Sequence, residues 1–533
     1  MNAIPRSVLI VAAALIVLLP KISAASKPPV VIDVHTHVFN AHDVPVGGIM
    51  RAQSVPLSIL GPVVEFIMAC TDDYVPGAGD SLRSFAALDL QQPLTIAEAD
   101  KAAIRSFVGQ SQLRALAPSA GIRSLGDGRQ IDEESLALAA AVFEAANIPP
   151  QENDGTTVNL RSVSPTNAIA FVGLMRQSQL AIARRLQTDF PGVDLFLHHM
   201  MDLQKAYDDT PANLFPEQMR RMDALETEPG LVGHFLHFAA FDPFRADAAL
   251  DTIREPGATK LRGRALGVKF YPPSGYRPTA NAIDPQPPIW KPWQRAQWNS
   301  RYDQLGNTDA ERNARLDAIN DQLFAFCAQN DIPVFVHCTG FGFQAVSGYG
   351  MNCDPKYWRV VLTKYPALRL CFAHAGGEPW WFSAGEAPDP NGSAADQQRW
   401  TFGREVVQLC IDFKNVYCEA GYLDPVLYPG AKRDRFVTRL KEAVVRDTLQ
   451  PNVKFGNKIM YGTDWHMIYK EKDYTKYLES FASVFSDPVL QPFATRFFAG
   501  TAAEYLKLKA VANDPRFTPE QRAAIDALLK RLP

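Results

Sequence analysis

The sequence predicts an α/β fold, a (β/α)8 TIM barrel, with a large helical insertion after the first strand. Three observations lead there. Eight short apolar runs recur along the 533 residues, most of them continuous rather than alternating, as strands buried on both faces read. Helical patterns separate them, and strand–helix alternation of this length fits a closed parallel barrel. Finally, four runs stop in a residue able to bind a metal: Val-Ile-Asp-Val-His35-Thr-His37, Pro-Val-Phe-Val-His337, Leu-Arg-Leu-Cys-Phe-Ala-His374 and Lys-Ile-Met-Tyr-Gly-Thr-Asp464. A doubly wound open sheet is the competing fold, but no glycine-rich phosphate loop follows the first strand.

In chain order the strands are expected near 30–36, 194–200, 232–239, 265–271, 333–338, 368–374, 415–420 and 458–463. Helices are expected at Asn167–Gln187, Pro216–Glu228, Asp309–Gln329, Tyr357–Lys364, Gly403–Asp412 and Asp434–Leu449. After the eighth strand, Phe497–Leu506 and the amphipathic Pro519–Arg531 read as helices. The first connection, from about 40 to 164, is far longer than a barrel needs. It carries helical patterns at Ser81–Leu90, Thr95–Val108 and Asp132–Ala146, so it is expected to be an ordered cap above the barrel mouth. A second long loop, Pro272–Ser300, is rich in Pro and Trp and leaves the same face. Both are candidates for substrate selection or for packing.

Composition narrows the partners. The net charge is −3 with no long basic run, and nucleic acid needs a clustered positive surface; none is expected as a partner. Arg6 precedes an apolar run from Val8 to Leu19, followed by Ser23-Ala24-Ala25. That pattern reads as a cleaved signal peptide over residues 1–25, with 26–533 as the mature barrel, exported to the periplasm or secreted. The run is too short to span a bilayer, so no membrane association is expected after cleavage. Seven cysteines in an exported chain raise the question of disulfides. Cys338, Cys371 and Cys418 fall in core strands, Cys327 and Cys353 could pair, and the absence of Cys-x-x-Cys disfavours a thiolate metal site.

His35 and His37 are two apart on one strand and face the same side, at the end where a barrel's sites lie. His337 and His374 end the fifth and sixth strands. Asp464 follows the eighth, where a buried carboxylate is costly unless paired or metal-bound. Taken singly, each has a structural reading: a core imidazole bonded to a carbonyl, or a helix N-cap for Asp464. Taken together at the ends of strands one, five, six and eight, they describe a metal site. Lys269 ends the fourth strand, and Arg262, Arg264 and Arg277 flank it as candidates for holding a substrate carboxylate. His466 follows Asp464-Trp465 and either touches substrate or lies on the loop. His198 and His199 are adjacent, so only one can face inward. His234 and His237 face opposite ways, and Trp380 and Trp381 either wall the pocket or pack.

The motifs Asp33-Val-His35-Thr-His37, Gly267-Val-Lys269-Phe-Tyr-Pro272, Val336-His337-Cys-Thr-Gly340, Ala373-His374-Ala-Gly-Gly377 and Tyr461-Gly-Thr-Asp464-Trp465 resemble the amidohydrolase superfamily. The likeness is to its amidohydrolase-related branch, with the aminocarboxymuconate-semialdehyde decarboxylase-like enzymes. It covers residues 30–38 and about 230–506, and not the insertion. The resemblance implies one divalent metal, zinc, held by His35, His37, His337 and Asp464. It implies His374 as the proton-transfer group, with Asp464 sharing that catalytic role, or His374 as a second-metal ligand. Lys269 stands where some relatives carry a carbamylated lysine between two metals. His466 stands where relatives often have Pro, so Lys269, His374 and His466 are candidates for a second metal or for substrate.

Three functions follow as expectations. The first is a metal-dependent hydrolase acting on an amide, ester or lactone bond of a small-molecule substrate. The second is a metal-dependent non-oxidative decarboxylase of an aromatic or unsaturated acid. The third is a non-catalytic binding protein on a barrel scaffold, and the full set of ligand positions weighs against it. A homodimer is compatible with the sequence.

Overall fold

Runs such as Val334-Phe-Val and Leu370-Cys-Phe offer no polar face to water, so they are stable only where both faces are covered. In the computed structural model, which describes residues 30–52, 55–77, 94–108, 122–124, 130–147, 165–283 and 303–532, they become parallel barrel strands. The eight strands are Ile32–Thr36, Leu195–His199, Phe235–Phe241, Gly267–Phe270, Val334–Val336, Leu370–Phe372, Val416–Glu419 and Ile459–Met460. They pair in chain order in one parallel sheet. The Val34 N–H donates to Tyr461 O at 3.1 Å and joins the last strand to the first. All eight expected strands form, seven of them trimmed at their ends and the third shifted to run on to Phe241.

Alternate residues divide between two cores, as the period of a strand requires. Phe335, Cys371 and Tyr417 join Leu197, Leu236, Phe238 and Met460 in a cluster with Tyr505, Leu508 and Ile525 of the C-terminal helices. Their neighbours Val334, Val336, Leu370, Phe372, Val416 and Cys418 face the surrounding helices instead. The helix Asp309–Gln329 forms over the expected span, its start fixed by a capping box of Thr308 and Glu311. The helix expected over Asn167–Gln187 is two, Pro165–Met175 and Gln179–Asp189. Ser178 caps the second by accepting the Ala181 N–H at 3.2 Å, and that capping competes with continuation.

Within the long first connection, helices lie at Val46–Ala52, Leu57–Cys70, Glu98–Val108 and Glu133–Asn147, with a small hairpin of Ile122–Ser124 and Gln130–Asp132. The first two are absent from the sequence expectation, and the helix expected at 81–90 falls outside the described residues. Ile49, Met50, Val63 and Ile67 form one apolar cluster with Met201, Leu203, Tyr271, Ala345 and Val346, residues that follow the second, fourth and fifth strands. A buried polar knot ties the start of this segment down. Asp43 accepts from Gln179 Nε2 at 2.7 Å and Asn213 Nδ2 at 2.9 Å, and Asp73 accepts from Asn213 at 2.8 Å and pairs with Arg221. Of the second long loop, residues 284–300 lie outside the described residues, as does the expected signal segment.

All seven cysteines are free and buried. The pairing considered for Cys327 and Cys353 does not form: each is buried as a free thiol, Cys327 within the apolar core, and burial pushes both well above the usual thiol range.

Candidate metal centre

The site begins with Asp33, fully buried on the first strand. Its carboxylate accepts the backbone N–H of His35 and of Thr463, both at 3.0 Å, and the Thr463 hydroxyl at 2.6 Å. Burial pushes the carboxyl up to about 7, against the pull of those hydrogen bonds. Asp33 thus lashes the first strand to the loop after the eighth. The Asp464 N–H then donates to His35 O at 2.7 Å, bringing the two strand ends to one point. A register shift between Asp33 and Thr36 turns His35 inward although Ile32 and Val34 already point there.

His37 lies just past the strand end. Its Nδ1 donates to His199 O at 2.8 Å; a carbonyl only accepts, so Nδ1 carries the proton and Nε2 presents its lone pair. His35 is arranged the same way, with Nδ1 at 3.0 Å from Glu419 Oε1. Burial and the nearby Lys269 hold His35 well below the usual imidazole range, so that contact is a hydrogen bond and not an ion pair. Nε2 of His35 and of His37 stand 3.6 and 3.3 Å from Asp464 Oδ1. All three ligand atoms lie within 4.8 Å of one another. Burial opposes ionisation of Asp464, but the charged neighbours, Lys269 among them, hold its carboxyl below the usual range.

His374 ends the sixth strand in the left-handed region, at φ 58°, a conformation uncommon for a residue with a Cβ and frequent at functional sites. It is held there by its N–H donating to Glu419 Oε1 at 2.7 Å and by Nδ1 donating to Gly421 O at 2.9 Å. Burial pushes its imidazole down to about 4, so Nε2 keeps a free lone pair at neutral pH. That atom faces Nδ1 of His337 at 3.2 Å, while His337 Nε2 donates to Phe341 O at 2.9 Å. Asp464 also has φ 52°, which Asp tolerates better than most residues.

The donor set therefore fits a divalent cation. His35, His37 and Asp464 turn only acceptor atoms to one point, and His337 and His374 do the same beside it. Such contacts are attractive only with a proton or a cation between them, and the outer nitrogens are each fixed by a carbonyl or carboxylate, as metal-binding imidazoles are. Nitrogen and oxygen donors of this kind suit zinc. One donor enters the cluster: Lys269 Nζ lies 3.1 Å from His35 Nε2 and 4.6 Å from the Phe335 ring centroid. Burial lowers its ammonium to about 8, with Asp464 and Glu419 opposing.

The expected residues do not all meet. His35, His37 and Asp464 form one ligand group, and His35, His374 and Glu419 another. His337 belongs to neither, and joins the cluster through His374. His466 is buried against His37, their ring centroids 6.2 Å apart, and is in neither group. Glu419 was missed from sequence, although it ends Val-Tyr-Cys-Glu just as Asp464 ends its own run. Burial pushes its carboxyl up to about 8, while the His374 and Gly421 N–H groups oppose. His199 is the inward member of its pair, with its ring 4.0 Å from Phe335.

The three arginines near the fourth strand are engaged elsewhere. Arg262 pairs with Glu255 and Arg264 with Glu226 at the strand's opposite end, and Arg277 donates to Asn352 Oδ1 at 3.2 Å. Trp381 donates to Ala375 O at 2.8 Å and Trp380 packs on Gly403, so this pair is packing. His237 is paired with Glu226 at 2.6 Å under the helix Phe215–Leu225, and His234 precedes the strand.

The parallel eight-stranded barrel gathers these acceptor side chains at the C-terminal ends of its strands, where barrel enzymes place their sites. The amidohydrolase family profile matches residues 220–508, more than half of the sequence, and the chain belongs to that family. The match starts before the third strand, so His35, His37 and the long insertion lie outside it. No curated protein matches. Among solved structures, an amidohydrolase from Burkholderia multivorans with bound zinc is 13% identical, over 63% of this chain and 92% of its own, at a TM-score of 0.37. The 5-carboxyvanillate decarboxylase of Sphingomonas paucimobilis is 12% identical, over 78% and 96%, at 0.34. An IDCase from Metarhizium anisopliae is 13% identical, over 62% and 79%, at 0.35.

Proposed function

We propose that this protein is a zinc-dependent hydrolase acting on an amide, ester or lactone bond of a small molecule. The observation that carries the reading is the convergence of His35 Nε2, His37 Nε2 and Asp464 Oδ1, three acceptors with, among the described residues, no donor between them except Lys269 beside His35. These three would hold the metal, with His337 brought in alongside His374. When bound, a divalent metal supplies a lowered pKa for a coordinated water and polarises a substrate carbonyl.

The chain's own groups do the rest. His374, its Nδ1–H anchored on Gly421 O, offers Nε2 to take a proton and hand it to the leaving group. Asp464, ionised, serves the same transfer. The Lys269 ammonium steadies negative charge developing on the substrate oxygen. The apolar cluster of the long insertion with Met201 and Tyr271 excludes water from the mouth. Glu419 and Asp33 keep the tautomer of His35 and the spacing of the two strand ends.

A second reading, non-oxidative decarboxylation of an aromatic or unsaturated acid, is favoured by Lys269, a buried cation placed to hold a substrate carboxylate beside the metal ligands. Purified mature protein, loaded with zinc, would be assayed on aryl acetates, lactones and carboxylated phenols including 5-carboxyvanillate. Released acid supports hydrolysis and released carbon dioxide the second reading. Protein that neither contains metal nor takes up zinc would sink both. Export is proposed on the apolar run after Arg6, and N-terminal sequencing of secreted material should begin near residue 26.

A further inference from the structure

His466 is the one imidazole among the described residues whose two ring nitrogens both lack a partner, yet it is 1% exposed. Buried polar atoms in native proteins are ordinarily paired, and an exception asks for a reason. The ring belongs to none of the three ligand groups among the described residues.

Its surroundings form an aromatic box. The ring lies parallel to His37, at 3° and 6.2 Å between centroids. Trp465 stacks on it at 5.5 Å, Phe39 meets it edge-on at 4.4 Å, and Phe171 stands at 6.3 Å. Phe39 is the one half-buried wall. Phe171 comes from the helix Pro165–Met175 beyond the insertion, so the box joins the barrel mouth to the segment packed over it.

We infer that His466 is a substrate-binding residue: it hydrogen-bonds a hydroxyl or oxo substituent on a planar, unsaturated small molecule seated against Phe39 beside the metal ligands. The half-buried Phe39 ring gives a flat apolar skeleton a face to stack on, and an unpaired buried hydrogen-bonding group discriminates strongly for a ligand that satisfies it. The inference rests on reading the cluster as an active site, and it adds what the site selects. The group is built for a ligand at the expense of stability, which makes it testable without turnover.

Two variants, His466→Phe and His466→Gln, would be compared with the wild type in two assays. In thermal unfolding of the metal-free proteins, His466→Phe should raise Tm by about 1–3 °C, because it removes two unsatisfied atoms and keeps a flat ring. An unchanged or lower Tm for both variants overturns the inference. In the second assay, zinc-loaded enzyme hydrolyses 4-hydroxyphenyl acetate and phenyl acetate, two esters that differ by one hydroxyl. The wild type should favour the hydroxylated ester at least tenfold in kcat/KM, His466→Phe should lose that preference, and His466→Gln should keep part of it. No preference in the wild type, or the same preference in His466→Phe, overturns the inference. If neither ester is hydrolysed while 5-carboxyvanillate is also untouched, the proposed function fails, and the unfolding comparison alone then judges His466.

Discussion

Replacing Glu419 by Gln probes the site through a residue outside the three proposed to hold the metal. Ionised, as a neighbouring cation would keep it, the carboxylate accepts from His35 Nδ1 at 3.0 Å, from the His374 N–H at 2.7 Å and from the Gly421 N–H. An amide has one acceptor oxygen and a donor NH2. If its oxygen faces His35 and His374, the NH2 meets the Gly421 N–H. If it is flipped, the NH2 meets His35 and His374, and His35 is driven to the tautomer with its proton on Nε2. Either arrangement leaves a buried donor unpaired, costing about 1–3 kcal/mol, and the second also removes a metal-binding lone pair. Loss of such an outer partner typically weakens metal binding by roughly 10–100-fold, or about 1.4–2.8 kcal/mol. The assay is zinc affinity by competition with a chromophoric chelator, with circular dichroism to confirm the fold and the exposed Glu479→Gln as control. A dissociation constant within about twofold of the wild type would show that Glu419 does not hold His35, and the site's architecture as described would be wrong.

Other expectations concern the same scaffold. Gly421→Ala would place a Cβ 2.7 Å from Glu419 Oε2 and 3.1 Å from His35 Nδ1, and should lower zinc affinity by about tenfold through the same contacts; unchanged affinity in a folded variant refutes it. Asp242 is buried near Asp202, and burial and that like charge raise its carboxyl from 3.8 to about 8. The folded state therefore holds a proton that the unfolded state releases between those values, so stability should fall as pH rises from about 4 to 8. Asp242→Asn should remove that loss and be more stable than the wild type at pH 8.5 by about 1–3 kcal/mol in urea unfolding; a smaller stability than the wild type there refutes it. The cysteines, all free and buried, should resist Ellman's reagent in the native protein and give seven thiols per chain after unfolding without reductant; fewer would mean a disulfide.

Local pattern determined much of this protein. Each barrel strand was legible because a run such as Leu-Cys-Phe has nowhere to go but a two-sided core, and because a His or Asp at its end is expensive without a partner. His35, His37, His374, Asp464 and Lys269 come together where that logic put them. The helices Val46–Ala52 and Leu57–Cys70 were not legible: Gly47-Gly48 and Pro62 interrupt them, and the second is apolar on most of its surface, so no amphipathic stripe marks them. They exist because the barrel mouth supplies Met201 and Tyr271 as packing partners.

Distance across the ring decided the remainder. Which imidazole nitrogen is free depends on a carbonyl or carboxylate contributed by another strand, as His199 O does for His37 and Glu419 for His35. The partnership of Asp33 with Thr463 joins residues 430 positions apart, and the place of His337 behind His374 follows from the left-handed turn at His374. Residue type and strand position are local quantities, and the sequence determined them. Tautomer, ligand grouping and the unpaired ring of His466 are set by neighbours hundreds of residues away, and only the closed barrel brings those neighbours into reach.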